Sequence, residues 1–254
     1  MSISLCADQL LLQLLPPSRI MSVTYLSRDP HESYLSAEAW RVGINHGLPE
    51  EVIHDPPDLV IAGLYTTPAT RALLKQVGMP LLEVDDTVTS FEGIRRLTRE
   101  VAHAVGADAK GEQLIQQMDA KLAALAASAP RRPITLVGWD GGGSVPGRDT
   151  LFNTIITTAG AVNLGAAPGL RSTRFDTEQL LMAHPDILAY GDASIATPSL
   201  RNNTLMQPLV QRLYAGRQIV YPELLYICGL PQTADAVIQI RQKMLQVLGQ
   251  RSSP

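Results

Sequence analysis

The residues of this 254-residue chain that could do chemistry are five histidines, two cysteines, a glycine triplet and a set of arginines and large aromatics. Gly141-Gly142-Gly143 sits where a strand pattern meets a helical one, as phosphate-binding loops do. A P-loop closes on Lys followed by Ser or Thr, which hold the phosphates and magnesium, and Gly147-Arg148-Asp149 supplies neither. No G-x-G-x-x-G is present either, so the triplet is read as a flexible loop shaping a cleft. Ser144 lacks the second glycine of the G-x-S-x-G elbow and has no histidine placed to take its proton. His54 and His184 close helical patterns, where an imidazolium is favoured by the helix dipole, and His103 falls on a solvated helix face. His31 and His46 remain as possible ligand contacts, but a tight metal site wants three or four converging ligands and these do not assemble one. Cys6 and Cys228 stand in opposite halves without the spacing of a zinc site. They are read as free thiols; a disulfide, the alternative, would tie the halves together.

What remains is a group of basic and aromatic residues at or near strand ends: Arg28, Tyr65, Trp139, Arg148, Arg174, Tyr190 and Tyr226. An arginine can grip a carboxylate or phosphate with two parallel hydrogen bonds, while Tyr and Trp offer flat apolar contact with a polar tip. Together they suit a bulky, partly anionic ligand. Each taken alone fits a packing or surface role equally well.

The elements that must position these residues alternate between strand and helix. Pro57-Asp58-Leu59-Val60-Ile61-Ala62-Gly63-Leu64-Tyr65 returns in weaker form as Pro185-Asp186-Ile187-Leu188-Ala189-Tyr190-Gly191. In both copies a helical pattern runs into a proline that cannot continue it, and a short apolar run follows, as in a strand buried on both faces of a parallel sheet. Each run ends in glycine near a tyrosine at the carboxyl end, the edge where open α/β sheets bind ligands. Strands are expected at Ser2–Leu5, Ile20–Tyr25, Leu59–Ala62, Leu81–Val84, Ile134–Trp139 and Ile219–Tyr221, and Leu26–Pro49 reads as a long polar loop. Asp149 and Asp176 are the expected caps of two helices in the second half. The fold expected is α/β: two doubly wound lobes with parallel central sheets and a ligand cleft between them. Residues 1–106 form the first lobe, 107–129 a single long linker helix and 130–254 the second lobe.

Hydrophobic residues make up 45% of the chain and charged ones 18%, with a net charge of −3, an ordinary globular composition without the basic surplus of a nucleic-acid binder. No apolar run reaches the 18 or so residues of a membrane span. The chain enters its first element directly after Met1, as a mature form does once a targeting segment is removed, or as a cytosolic protein does at its own methionine.

In order and spacing, these pieces resemble the periplasmic substrate-binding proteins that serve ABC importers of cobalamin, haem and ferric siderophores. The resemblance covers nearly all of the chain. It rests on Ser4-Leu5-Cys6-Ala7-Asp8-Gln9-Leu10 at the opening, Pro57 to Gly63, and Leu73-Leu74-Lys75-Gln76-Val77-Gly78-Met79-Pro80. In the second half it rests on Thr158-Ala159-Gly160-Ala161-Val162-Asn163 and on Glu178 to Leu188. It implies a monomeric periplasmic protein, exported and cleaved, that clamps a metal chelate between two lobes and delivers it to an inner-membrane permease. It also implies no catalysis, no resident cofactor and no nucleic-acid partner. The family often docks through one exposed Glu on each lobe. The matching positions here, near Pro68-Ala69-Thr70 and near Ile227, are not acidic, which leaves acids such as Glu83, Glu92 or Glu223. With aromatics at only 5% and Arg28, Arg148, Arg171 and Arg174 as candidate cleft cations, the ligand leans to a chelate bearing carboxylates or hydroxamates, with a corrinoid next. The rival reading is a two-lobed α/β enzyme that binds a nucleotide-sugar or a metal cluster.

Overall fold

The computed structural model describes residues 1–127, 132–139, 144–166, 172–174, 176–192 and 207–251. Asp140 to Gly143 of the glycine loop, Arg171 and Asn202-Asn203 lie outside them. The chain divides into two compact units, Met1–Gln117 with Ile227–Pro231, and Met118–Tyr226 with Gln232–Pro254.

The first unit runs α1 (Leu5–Leu14), β1 (Ser22–Thr24), α2 (Ser36–Ala39), β2 (Gly43–Asn45), α3 (Pro49–His54), β3 (Val60–Ala62), α4 (Pro68–Gln76), β4 (Leu81–Glu83) and α5 (Phe91–Ala104). Thr67 and Ser90 cap α4 and α5 by accepting from the Thr70 and Gly93 amides. β1 pairs with β2 and β3 with β4, both in parallel. Met1 to Ile3 stitch the two pairs together. Ser2 donates its amide to the Ser22 carbonyl, while Ile3 donates to Ile61 and Ile61 back to Met1. The Asn45 amide group adds bonds to the Ser2 carbonyl and the Ser22 hydroxyl. Ile3, Val52, Val60, Ala62 and Leu74 form one buried cluster of the unit, and α5 turns Ile94, Leu97 and Val101 inward.

Two sequence expectations are corrected here. Ser2–Leu5 is not a full strand: only Ser2 bridges Ile61, and α1 starts at Leu5, its entry held by a 2.6 Å bond from the Ser4 hydroxyl to Asp86. Leu26–Pro49 is not a plain loop, for it carries α2 and β2. Three residues are too few to show a period, and Gly43 opens β2 where a Cβ would lie 2.5 Å from the carbonyl oxygen of Met21, the residue before β1.

The helix α6 (Asp108–Ala127) has 20 residues, and the division between the units falls inside it, after Gln117. The second unit continues with β5 (Ile134–Gly138), β6 (Ser144–Pro146), α7 (Leu151–Thr158), β7 (Ala161–Asn163), β8 (Ser172–Arg174) and α8 (Thr177–Ala183). β9 (Ile187–Gly191), α9 (Pro208–Leu213), β10 (Gln218–Tyr221) and α10 (Thr233–Arg251) complete it. Its sheet is wholly parallel, in the order β10-β9-β5-β7, and every residue of β9 is buried, as a central strand covered on both faces requires. β6 and β8 form a separate antiparallel ribbon. Asp176 caps α8 in a reciprocal box with Gln179, as expected. The cap of α7 is Thr150 rather than Asp149, because the extended residue whose oxygen meets the Asn153 amide lies one position further on.

The cysteine expectation is also overturned. Cys6 and Cys228 form a disulfide with a Cα separation of 5.3 Å, and both belong to the first unit, since Ile227–Pro231 leaves the second unit and packs into the first.

Candidate functional site

Parallel strands place their carboxyl ends on one edge of each sheet, so that edge collects the residues that follow each strand. In the first unit these are Tyr25 and Arg28 after β1, His46 after β2, Leu64 and Tyr65 after β3, and Asp85 and Asp86 after β4. Two buried carboxylates fasten this edge, Asp86 after β4 and Asp8 on α1. Asp86 accepts from the Ser4 hydroxyl and from the Leu64 amide at 3.0 Å, fixing the turn that carries Tyr65. Asp8 uses a single oxygen, Oδ2, to accept from the Thr24 amide, the Thr24 hydroxyl and the Ser27 hydroxyl, fixing the 3-10 turn Tyr25–Arg28. Above these anchors the aromatic rings are open to water: Tyr65 is 86% exposed, Trp40 68% and Tyr25 50%. Tyr25 stacks on His46 with ring centroids 5.4 Å apart, and the His46 ring is held in turn by Glu51.

Complete burial lifts the Asp8 carboxyl to about 6, against hydrogen bonds from Thr24 and Ser27 that favour the anion. Ser2 also leans toward it, although Oδ1 accepts no bond among the described residues. Between about pH 4 and pH 6 the folded protein therefore keeps a proton that the unfolded chain has lost, and stability falls as pH rises through this window. Two pH units correspond to about 3 kcal/mol. Urea unfolding of the wild type relative to Asp8→Asn should show a difference that grows by that amount from pH 4 to pH 7; a pH-independent difference would contradict the assignment.

The seven residues singled out in the sequence are placed as follows. Arg28 is turned back into its own unit, donating to the Ala39 and Val42 carbonyls, and its guanidinium lies 4.5 Å over the Trp40 ring. Tyr65 stands free on the first edge. Trp139, 2% exposed, and Tyr190, 3% exposed, share a core cluster of the second unit with Val137, Val145, Leu180 and Tyr214. The Trp139 indole N–H meets no acceptor among the described residues. Tyr226 packs against Phe152 and Tyr221. Burial pushes the Tyr190 phenol up to about 12 and that of Tyr226 well above its usual value, so both keep their protons. Arg148 lies exposed on the turn after β6, and Arg174 ends β8 opposite Ser144. Asn163, from the Gly160 motif, is a structural clamp: its amide group donates to the Pro146 carbonyl and its oxygen accepts from Gly165, binding the ribbon to β7. Among the described residues no three His, Cys, Asp or Glu side chains converge to hold a bare metal ion.

Sequence reasoning passed over Tyr25, Trp40 and the two anchoring aspartates. A signal for Asp8 was present, since Asp8-Gln9 interrupts the otherwise apolar run of α1 and both are fully buried.

A family model described as periplasmic binding protein matches residues 2–218. The chain belongs to that family. Its solved relatives share the fold over almost the full length of both chains. The periplasmic heme-binding protein RhuT from Roseiflexus sp. RS-1 has a TM-score of 0.78 at 22% identity, covering 97% of each chain. The periplasmic heme-binding protein BhuT, solved with two hemes, reaches 0.75 at 23% identity, again with 97% of each chain. The vitamin B12 binding protein BtuF of Vibrio cholerae reaches 0.65 at 18% identity, covering 97% of this chain and 96% of its own. No curated protein matches. This is a family of binding proteins, and no helix among the described residues is long and apolar enough to cross a membrane.

Proposed function

We propose that this periplasmic binding protein captures a metal chelate built on a flat conjugated ring, haem foremost, and hands it to an ABC-transporter permease of the inner membrane. The observation that carries this reading is Tyr65, a large aromatic left 86% exposed on a turn that Asp86 holds still. A rigid turn that presents an aromatic ring to water offers contact area at little entropic cost. Its phenol oxygen is also a known type of haem-iron ligand. Tyr25 and Trp40 extend the same apolar edge. The preference for a ring over a polycarboxylate is supported by Arg28, which gives two of its five N–H donors to the Ala39 and Val42 carbonyls and lays its guanidinium over the Trp40 ring. Arg148, exposed on the turn after β6, and Arg174, at the end of β8, are assigned to the ligand's carboxylates, with Trp139, Tyr190 and Tyr226 as the apolar backing of the second unit's edge. Haem-binding and B12-binding proteins among the solved relatives agree with this class of ligand.

A disulfide between Cys6 and Cys228 suits an oxidising compartment and supports a periplasmic location. For docking, Glu83 is engaged with Lys75 and Arg71, which hold its carboxyl below the usual range, while Glu92, paired with Arg95 and 74% exposed at the amino end of α5, is the better candidate. The protein acts as a monomer in this reading.

Absorbance titration of the purified protein with hemin, cyanocobalamin and a panel of ferric siderophores tests the proposal. Hemin is expected to saturate one site, and Tyr65→Ala to weaken it by tenfold or more. Absence of saturable hemin binding would overturn the haem assignment, and saturation by a siderophore or corrinoid alone would replace it.

A further inference from the structure

The geometry points to Asp8 as a positioning residue for ligand capture: its carboxylate holds the Tyr25–Arg28 turn in the shape that presents Tyr25, and protonation weakens that hold. This rests on the proposal that the ligand meets the carboxyl edge of the first unit.

Three donors, the Thr24 amide at 2.9 Å, the Thr24 hydroxyl at 2.5 Å and the Ser27 hydroxyl at 2.8 Å, converge on Oδ2 alone. Thr24 ends β1, Ser27 lies inside the turn, and Tyr25 stands between them, so these bonds fix both sides of the residue whose ring stacks on His46. All three are charge-assisted while Asp8 is ionised and revert to ordinary strength when it is neutral. The second oxygen, Oδ1, is buried and accepts nothing among the described residues, which makes it the place for the proton.

The surroundings leave Asp8 to act without a competing charge. On α1 its neighbours are Cys6, in the disulfide, and Gln9, whose amide group donates to the Cys228 sulfur. The turn supplies Thr24 and Ser27, while its Arg28 is committed to the Ala39 and Val42 carbonyls. α5 packs on α1 with Phe91, Ile94, Leu97, Thr98 and Val101 buried, and its pairs Arg95–Glu92 and Arg99–Glu112 are exposed. Among the described residues the charge coupled to Asp8 is the Met1 amine, itself bound to the Leu59 carbonyl. Burial brings the carboxyl into a range that the pH outside the cell membrane reaches, about 6. Ionised Asp8 lowers fold stability and tightens the site, so a buried acid is kept here at a cost to stability.

The test compares wild type with Asp8→Asn, which has nearly the same shape and no charge at any pH. Two readouts are used, hemin affinity from pH 5 to pH 8 and the backbone amide resonance of Thr24 in the ligand-free protein over the same range. The wild type should lose about tenfold in hemin affinity, relative to Asp8→Asn at each pH, between pH 7.5 and pH 5, the equivalent of weakening one charge-assisted hydrogen bond. Its Thr24 resonance should titrate, and that of Asp8→Asn should not. A Thr24 resonance that titrates identically in both proteins overturns the proposal, as does hemin affinity with the same pH profile in both. If Thr24 titrates as expected but hemin does not bind, the haem reading fails and the hold on the turn stands. Should Asp8→Asn fail to fold, Ser27→Ala and Thr24→Val remove donors singly. Each is expected to weaken hemin binding and shift the Asp8 titration upward, and an unmoved titration in both overturns the proposal.

Discussion

Replacing Cys6 and Cys228 together by serine is expected to lower the stability of the protein by about 5 kcal/mol on the chain-entropy account of cross-links. The bridge closes a loop with a sequence separation of 222, so breaking it frees nearly the whole unfolded chain. The native side adds to the loss. Cys228 is 1% exposed, and the segment around it, with Leu230 wholly buried, fills part of the first unit's core. Gln9, which donates to the Cys228 sulfur, is buried too, and its side-chain oxygen meets no donor among the described residues. Urea unfolding of the double variant beside the wild type measures the effect without reductant in the sample. A loss under 1 kcal/mol would mean that packing alone holds Ile227–Pro231 in place.

Gly63→Ala should cost nearly as much, about 4 kcal/mol, and should weaken ligand binding at the same time. A Cβ at position 63 would stand 1.9 Å from Asp86 Oδ2 and 2.5 Å from the Ser4 hydroxyl, so the two partners must part or the turn must move. Overpacking alone costs about 1–3 kcal/mol. Loss of a hydrogen bond to a charged group adds about 1.5–3 kcal/mol. Asp86 also anchors the Leu64 amide, so the displacement reaches Tyr65, the next residue. The measurement is a pair, the unfolding midpoint and the hemin affinity. Stability within 1 kcal/mol of wild type, with hemin affinity unchanged, would show that the edge yields without consequence and that Asp86 is not its anchor.

How far the sequence foretold this depends on whether a feature is local or long-range. The repeated proline, apolar run and glycine correctly located β3 and β9, because the break and the period lie within ten residues of each other. Asp176 and the long pattern of α6 were legible for the same reason. The Cys6–Cys228 bridge was not, since nothing near either cysteine records its partner. Asp86 and Ser4 meet across 82 positions, and Asp8 with Thr24 and Ser27 across 16 and 19. The strand-end rule found the edges of the sheets but not which side chains reach water there. Tyr65 lies beyond the end of β3 on a turn and is exposed, while Tyr190 lies within β9, a strand buried along its whole length, and joins the core. Arg28 shows the limit of composition: its charge predicts an anion, while in the fold it also ties the Ala39 and Val42 carbonyls and packs over the Trp40 ring.

The return of Ile227–Pro231 to the first unit has a consequence for how the protein is made. The piece that completes the earliest-synthesised unit lies close to the far end of the chain. A chain halted at Tyr226 would hold every described strand and still lack the partner of Cys6. An amino-terminal unit that folds while the rest is being made would therefore do so before its last segment and its disulfide are in place. Cutting after Gln117 to isolate the first unit would likewise yield a fragment that lacks Ile227–Pro231 and leaves Cys6 without Cys228.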